Sequence, residues 1–326
     1  LEVTMNVRHI SYFNHWHGAL VTNMLAGVLL ALALLPGAIA FSFIAGVSPT
    51  IGMLSTGLMM LVISLTGNRT LMVSAPSSGV SLVVAPLMSS HGMPAVILAT
   101  LIMGIIQILM GICRINKLLD YIPTGVVIGF MNALGVLLFT SQLKNILNIS
   151  NATYVIAVAS FLIIWLAQRY IRFMPAPLIA IIILTICAWW LKPDIVYVHH
   201  LASLHIHVPM LSFPDAMYDM HIVGISSMYG VTMAIVAVVQ TTLTARMMDA
   251  VTATKSDKNK ETIGQGVANT IVALFGGYGG SALVGQSRFN ATMGATSRVS
   301  TLITGAFYSL AYSFLEILSV KYQWQC

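Results

Sequence analysis

The chain has 326 residues, 58% of them hydrophobic and only 7% charged, and its mean hydropathy is +0.90. A soluble domain carries about 25% charged residues, so a soluble globular enzyme, a nucleic-acid binder and a disordered chain are all excluded. Fifteen bases against nine acids leave a formal net charge of +6, and the meaning of that excess depends on where the bases sit.

A bilayer span takes about 20 apolar residues. No charge occurs between Arg8 and Arg69, between Arg69 and Arg114, between Asp219 and Arg246, or between Glu261 and Arg288. Windows of this kind predict eleven spans, two of them short. In chain order they are Leu20–Ile44, Ile51–Leu65, Ser77–Met88, Ala95–Ile112, Ile122–Ser141, Thr153–Leu166, Pro177–Leu191, Ile222–Thr244, Thr262–Phe275, Ser287–Ala295 and Val299–Leu318. With the N-terminus in the cytoplasm, ten bases fall on the inner side, from Arg8, Arg69 and Arg114 to Lys260. Lys144 and Lys192 fall outside, and the remaining three, Arg288, Arg298 and Lys321, lie after the ninth span. Bases gather on the cytoplasmic side of membrane proteins, so most of the +6 is topology. The expected location is the inner (plasma) membrane, multi-pass. The first apolar run is too long for a cleavable leader and lacks an early basic flank.

Two windows contain more than a plain helical bundle needs. Thr70 to Ser74 is short and partly β-branched; Ala75-Pro76-Ser77-Ser78-Gly79 follows, then an apolar run. Ser before an apolar run suits a helix N-cap, and Pro76 stops the helix from extending backwards. A helix is therefore expected to start near Ser77, halfway through the membrane. The second break reads Gly276-Gly277-Tyr278-Gly279-Gly280, then Ser281-Ala282-Leu283-Val284-Gly285-Gln286-Ser287-Arg288. Irregular backbone is tolerated at membrane depth only when buried in protein or lining a watery cavity. Two breaks at corresponding places point to the binding site of an inverted-repeat transporter. Half-helix N-termini carry partial positive charge and free N–H groups, so they suit anions.

Several segments together resemble the sulfate permease (SulP) family of inorganic-anion transporters and exchangers, bacterial type. They are Ala45-Gly46-Val47-Ser48-Pro49-Thr50-Ile51-Gly52-Met53-Leu54, Asp120 to Asn132 with Gln142-Leu143, and Met174-Pro175-Ala176-Pro177-Leu178-Ile179-Ala180. The most specific stretch holds Asp249, Thr252, Asp257, Asn259, Glu261, Gln265-Gly266, Asn269 and Phe275-Gly276-Gly277. The resemblance implies an all-α polytopic membrane protein with a seven-plus-seven inverted-repeat transporter fold. Two short strands lead into half-helices three and ten. It further implies a core domain from residues 1–113 (spans 1–4) and 221–320 (spans 8–11), and a gate domain with an outer loop from 114–220 (spans 5–7). Residues 321–326 are a tail. The second repeat is expected to be incomplete, without spans 12–14 or a STAS domain.

By this resemblance the anion sits between the N-termini of half-helices three and ten, and alternating access carries it across. The candidate substrate-binding residues are Ser77, Ser78 and Gly79 from the first, and Gly285, Gln286, Ser287 and Arg288 from the second. Many members place an acid in the eighth span, four residues before a Thr; here that coupling-site position is Gln240, followed by Thr244. An inside-negative potential opposes anion entry by about 2.3 kcal/mol per charge per 100 mV. Cation coupling against it usually needs a carboxylate in the site. Spans one to ten contain none, so Na⁺ is not expected at Gln240.

The remaining chemistry-bearing residues have structural readings. His199, His200, His205, His207 and His221 crowd the outer loop with Asp194, Asp215 and Asp219, which suits a solvated loop, and His9, His15 and His17 suit the interface beside Trp16. The 20 Met fill gaps in the bundle. Cys113, Cys187 and Cys326 are scattered, without metal or disulfide spacing. Glu261 suits a helix start, with Asp257 and Asn259 as caps. No cofactor, metal or nucleic acid is expected. The expected partners are the inorganic anion (sulfate, bicarbonate or chloride class), membrane lipid and a second copy in a homodimer. The alternatives are a truncated, non-transporting membrane remnant and a nucleobase-type permease of the same fold; an enzyme is not expected.

Overall fold

The computed structural model describes residues 20–119, 121, 124–143, 147, 150–171, 176–191 and 218–323. The N-terminal His9, His15, Trp16 and His17, the outer-side Lys144 and Lys192, and the loop residues Asp194, His199, His200, His205, His207 and Asp215 lie outside them.

Helix α1 (Leu20–Ala45) turns at Gly46 into α2 (Pro49–Thr66). Ser48 caps α2 by accepting from the Thr50 N–H, and Pro49 occupies the first helical position. A proline there gives up an N–H that has no helical partner anyway. Strand β1 (Ser74–Ala75) leads into α3 (Ser78–Ile112). That long helix is two helices, 78–91 and 93–112, joined at Gly92 with φ 72° and with Pro94 just beyond. Then come α4 (Asn116–Leu119), α5 (Thr124–Leu143), α6 (Asn151–Tyr170) and α7 (Ala176–Leu191). The later part holds α8 (Met220–Thr252), α9 (Lys258–Leu274), β2 (Ser281–Ala282), α10 (Val284–Thr292) and α11 (Val299–Gln323).

The order helix, helix, strand, half-helix, helix occurs twice. The backbone repeats with it. Left-handed residues close corresponding turns: Gly46, Leu71 and Gly92 in the first copy, Ala253, Gly276 and Gly294 in the second. The two strands pair antiparallel, Ser74 with Ala282 and Ala75 with Ser281. The half-helices that follow therefore leave the ladder in opposite directions. This is the all-α inverted-repeat architecture, with two short strands at its centre.

Helix α3 lies along α8 and α9, α2 against α11 and α9, and α1 against α11. Helices α3 and α9 approach closely at Gly104 and Gly266. A Cβ on Gly104 would sit 2.8 Å from the Gly266 oxygen, and one on Gly266 would sit 2.7 Å from the Gly104 oxygen. Small residues at such crossings let helix backbones touch in lipid. Val80, Val84 and Leu87 of the first half-helix pack with Met233, Ala234 and Ala237 of α8 in one core cluster. Helices α6 and α7 pack mainly on each other and expose Phe161, Trp165, Trp189 and Trp190.

Among the described residues, α1, α2, α3, α6 and α8 are long and apolar enough to cross a membrane. The expected spans Ser77–Met88 and Ala95–Ile112 are the two arms of α3. The ninth starts earlier than expected, at Lys258, because Asp257 caps it by accepting from the Asn259 and Lys260 N–H groups. Asn259 is thus inside the helix, where its Oδ1 accepts from Asn116 Nδ2. The tenth starts at Val284 instead of Ser287. Gly285 and Gln286 therefore belong to its first turn, since Leu283 already has the extended backbone of a cap residue.

The end of the bundle assigned to the inner side is tied by buried charge. Arg69 pairs with Asp249 at 3.3 Å and donates to Thr252, Thr254 and the Met248 oxygen. Lys258 Nζ meets the other Asp249 oxygen at 2.7 Å. Glu261, fully buried, accepts from the Asn68 and Arg69 N–H groups at 2.6 and 2.7 Å. Removing that carboxylate strands two backbone donors, each costing about 1–3 kcal/mol. Glu261→Ala is expected to lower the unfolding temperature in detergent by several degrees, and Glu261→Gln, which keeps an acceptor oxygen, by less. Equal losses from the two would contradict this role.

Candidate functional site

Helix α3 opens on Ser77, whose backbone is extended (φ −122°, ψ 157°) and whose side chain makes no capping bond. The first bond of the helix runs from Ser81 N to Ser77 O. Helix α10 opens on Leu283, again with no side-chain cap, and its first bond runs from Ser287 N to Leu283 O. The first-turn N–H groups of a helix have no partner within it, and here no cap replaces one. A serine at an N-cap normally accepts from the first turn; Ser77 does not, because its hydroxyl is engaged elsewhere.

Its partner is Gln240 of α8. Gln240 Oε1 accepts from Ser77 Oγ at 2.9 Å and from Ser281 Oγ at 2.6 Å, and the two hydroxyls lie 2.8 Å apart. This triad joins the cap of one half-helix, the strand before the other, and α8. The amide nitrogen of Gln240 lies against the first turn of α3: a Cβ on Gly79 would come within 2.8 Å of it and within 2.7 Å of Val236 Cγ1. Thr244, one turn on, donates to the backbone oxygens of Gln240 and Ala282.

The strand before α10 is held from all sides. Asn269 accepts from the Gly280 N–H and donates to its oxygen. Ser55 and Thr100 hydroxyls accept from the N–H groups of Tyr278 and Gly279. Gln265 Nε2 donates to Ser74 Oγ on the other strand. Ser287 belongs to the same frame: its hydroxyl donates to the Leu283 oxygen and accepts from the Val73 N–H.

The sequence-predicted residues thus divide. Ser77, Gly79 and Gln240 are in direct contact at the start of α3, and Ser78 is half-buried beside them. Gly285 is exposed in the first turn of α10, with no atom within 4 Å of where its Cβ would stand. Gln286 is half-buried and approaches Gly37 of α1. Arg288 is exposed, one turn further along α10, with no hydrogen bond or ion pair among the described residues. Sequence reasoning missed Ser281, Ser74 and Gln107, the last of which accepts from Asn269 Nδ2. A polar residue in a charge-free apolar window was the available signal.

Two broken helices meeting across an antiparallel strand pair, inside a repeated helical frame, define a polytopic membrane protein of the inverted-repeat transporter class. The chain matches the Sulfate permease family over residues 20–163 and 148–320, and it belongs to that family. It is 37% identical to YbaR of Bacillus subtilis (strain 168) over 94% of this chain and 64% of YbaR. It is 22% identical to the bicarbonate transporter BicA of Picosynechococcus sp. over 86% of this chain and 55% of BicA. The chain therefore spans less than two thirds of the length of either relative. Among solved structures, the transmembrane domain of a cyanobacterium bicarbonate transporter BicA superposes with a TM-score of 0.82 at 21% identity, covering 92% of this chain and 84% of that one. Murine Slc26a9, an anion transporter in the inward-facing state, gives 0.75 at 18% identity over 90% of this chain and 56% of that one. These likenesses show the fold.

Proposed function

We propose that this chain carries the anion-binding part of a secondary transporter for small inorganic anions of the sulfate, bicarbonate or chloride class. The observation that carries this reading is the pair of uncapped half-helix starts, joined by the β1–β2 ladder. The anion sits between the first turns of α3 and α10. Donors come from the N–H groups of Ser78, Gly79, Gly285 and Gln286, and Arg288 supplies positive charge near the second half-helix. One helix terminus stabilises an anion by about 0.3–1 kcal/mol, up to about 2 when partly buried. Two such termini give an affinity modest enough for release.

Residues 1–113 and 221–320 act as the core domain and 114–220 as the gate domain, and the anion crosses as one moves against the other. The N-terminus is cytoplasmic, the exposed aromatic faces of α6 and α7 meet lipid, and two copies associate as a homodimer. Gln240 carries no charge, so uptake is independent of Na⁺.

The test is uptake of labelled sulfate, bicarbonate and chloride into proteoliposomes, with and without Na⁺ and with and without anion on the far side. Uptake of one or more of these is expected, stimulated by trans anion and unaffected by Na⁺. Ser77→Ala should lower it by about 2–10-fold, the equivalent of one hydrogen bond. Uptake that requires Na⁺ would sink the coupling claim, and no uptake of any of the three would sink the reading itself.

A further inference from the structure

Helix α8 is longer than a membrane needs. Its 33 residues extend about 50 Å at 1.5 Å per residue, whereas the hydrocarbon core is about 30 Å thick. Arg246 is the first charge after Asp219, so the charge-free window ends there. The two helical turns from Arg246 to Thr252 therefore stand at the edge of the hydrocarbon, level with the headgroups. Ala253 then takes a left-handed backbone, φ 51°, and the chain turns through Lys255 into α9 at Lys258.

This turn borders an open cavity of about 550 Å³, lined by Arg246, Asp249, Ala253, Thr254, Lys255 and Lys258. Three of these residues are bases and one is an acid. The acid is engaged on both oxygens: Arg69 Nη1 lies 3.3 Å from one and Lys258 Nζ 2.7 Å from the other. Its charge is thus compensated before Arg246 and Lys255 are counted. Lys258 has three donors; two go to Asp249 and the Ser256 oxygen, which leaves one. Lys255 is exposed and Arg246 half-buried. A base in the loop would satisfy the positive-inside preference. Arg246 stands within the helix and lines a cavity, which that preference does not require.

We propose that this cavity binds a phosphate group, presented by an anionic phospholipid headgroup of the adjoining leaflet or by a free phosphate ester. A guanidinium pairs with two phosphate oxygens as a fork, and ammonium groups add point charge. Basic pockets at the cytoplasmic surface of membrane proteins take lipid headgroups in this way. The half-helix starts meet α8 at Gln240, about 9 Å earlier along the helix than Arg246. The phosphate site is therefore separate from the place proposed for the transported anion, and it does not depend on that reading.

The test titrates phosphatidylglycerol into phosphatidylcholine nanodiscs holding the purified chain, and glycerol 3-phosphate onto the chain in detergent. The rise in unfolding temperature reports binding. Nanodiscs present the same lipids to both faces, so the result is independent of orientation. Phosphatidylglycerol is expected to raise the unfolding temperature. Arg246→Gln should weaken that binding about tenfold, the loss of one hydrogen bond to a charged group. Lys255→Gln, in the exposed loop, should weaken it in the same direction without burdening the fold. Lys260→Gln removes the same charge from an exposed position outside the cavity and should leave binding unchanged. An Arg246-dependent shift with glycerol 3-phosphate as well supports the site and makes a free phosphate ester a ligand. A shift with phosphatidylglycerol alone supports the site and makes the lipid its source. No shift with either ligand, a shift that persists in both Arg246→Gln and Lys255→Gln, or equal weakening by Lys260→Gln would each overturn the site. Anion uptake through the half-helices stands or falls separately.

Discussion

Gly285→Leu is expected to lower anion uptake by roughly 10- to 30-fold, the loss of the ~1.4–2 kcal/mol that one partly buried helix terminus gives an anion. Nothing stands within 4 Å of the place where its Cβ would go, so the side chain enters open space beside the first turn of α10. Its backbone has no left-handed angle to strain. Substitutions away from packing and special backbone conformations change stability by only about 0.5 kcal/mol. The unfolding temperature should therefore hold while transport falls. Parallel loss of both would show that Gly285 has a packing role; no loss of uptake would place the anion elsewhere.

Gly280→Ala, five residues earlier, is expected to behave in the opposite way. Its Cβ would stand 2.2 Å from the Ala75 oxygen and 2.7 Å from Pro76 N. Both are backbone atoms, so no rotamer change relieves the clash. Asn269 holds the Gly280 peptide by its N–H and its oxygen, which leaves the strand no room to shift. Overpacking of a rigid site costs about 1–3 kcal/mol and occasionally more, and here it also parts β1 from β2. Low yield, a lower unfolding temperature and absent uptake are expected together. Normal yield and normal uptake from Gly280→Ala would mean that the strand pair does not position the half-helices.

The two glycines also mark what was legible in the sequence. Charge-free windows place the membrane helices because a bilayer punishes unpaired charge. The Pro76-Ser77 break places the start of α3 to within one residue. The tenth helix begins three residues before the Ser287 that local sequence favours. Ser287 resembles a cap in local sequence, yet Leu283 takes the cap backbone and Ser287 turns its hydroxyl to Val73 and Leu283. The inverted repeat is hidden at two turns, where Leu71 and Ala253 hold left-handed angles that glycine usually takes. The position of Ser77 is legible in the sequence, and its bonding is not. Its partner, Gln240, is far along the chain, and local pattern carries no information about which distant hydroxyl an amide meets. The same holds for Arg69 and Glu261. Sequence marks them as a topology base and a helix-start acid, whereas the fold buries both in one network.

The central claim is that the anion lies between the first turns of α3 and α10. Anomalous diffraction from crystals of this chain grown with selenate or bromide tests it most directly. A peak is expected within hydrogen-bond distance of the N–H groups of Ser78 or Gly79 on one side and Gly285 or Gln286 on the other. A bound anion found only elsewhere, such as between Arg246, Lys255 and Lys258 at the C-terminal end of α8, with no density between the half-helices, would contradict it.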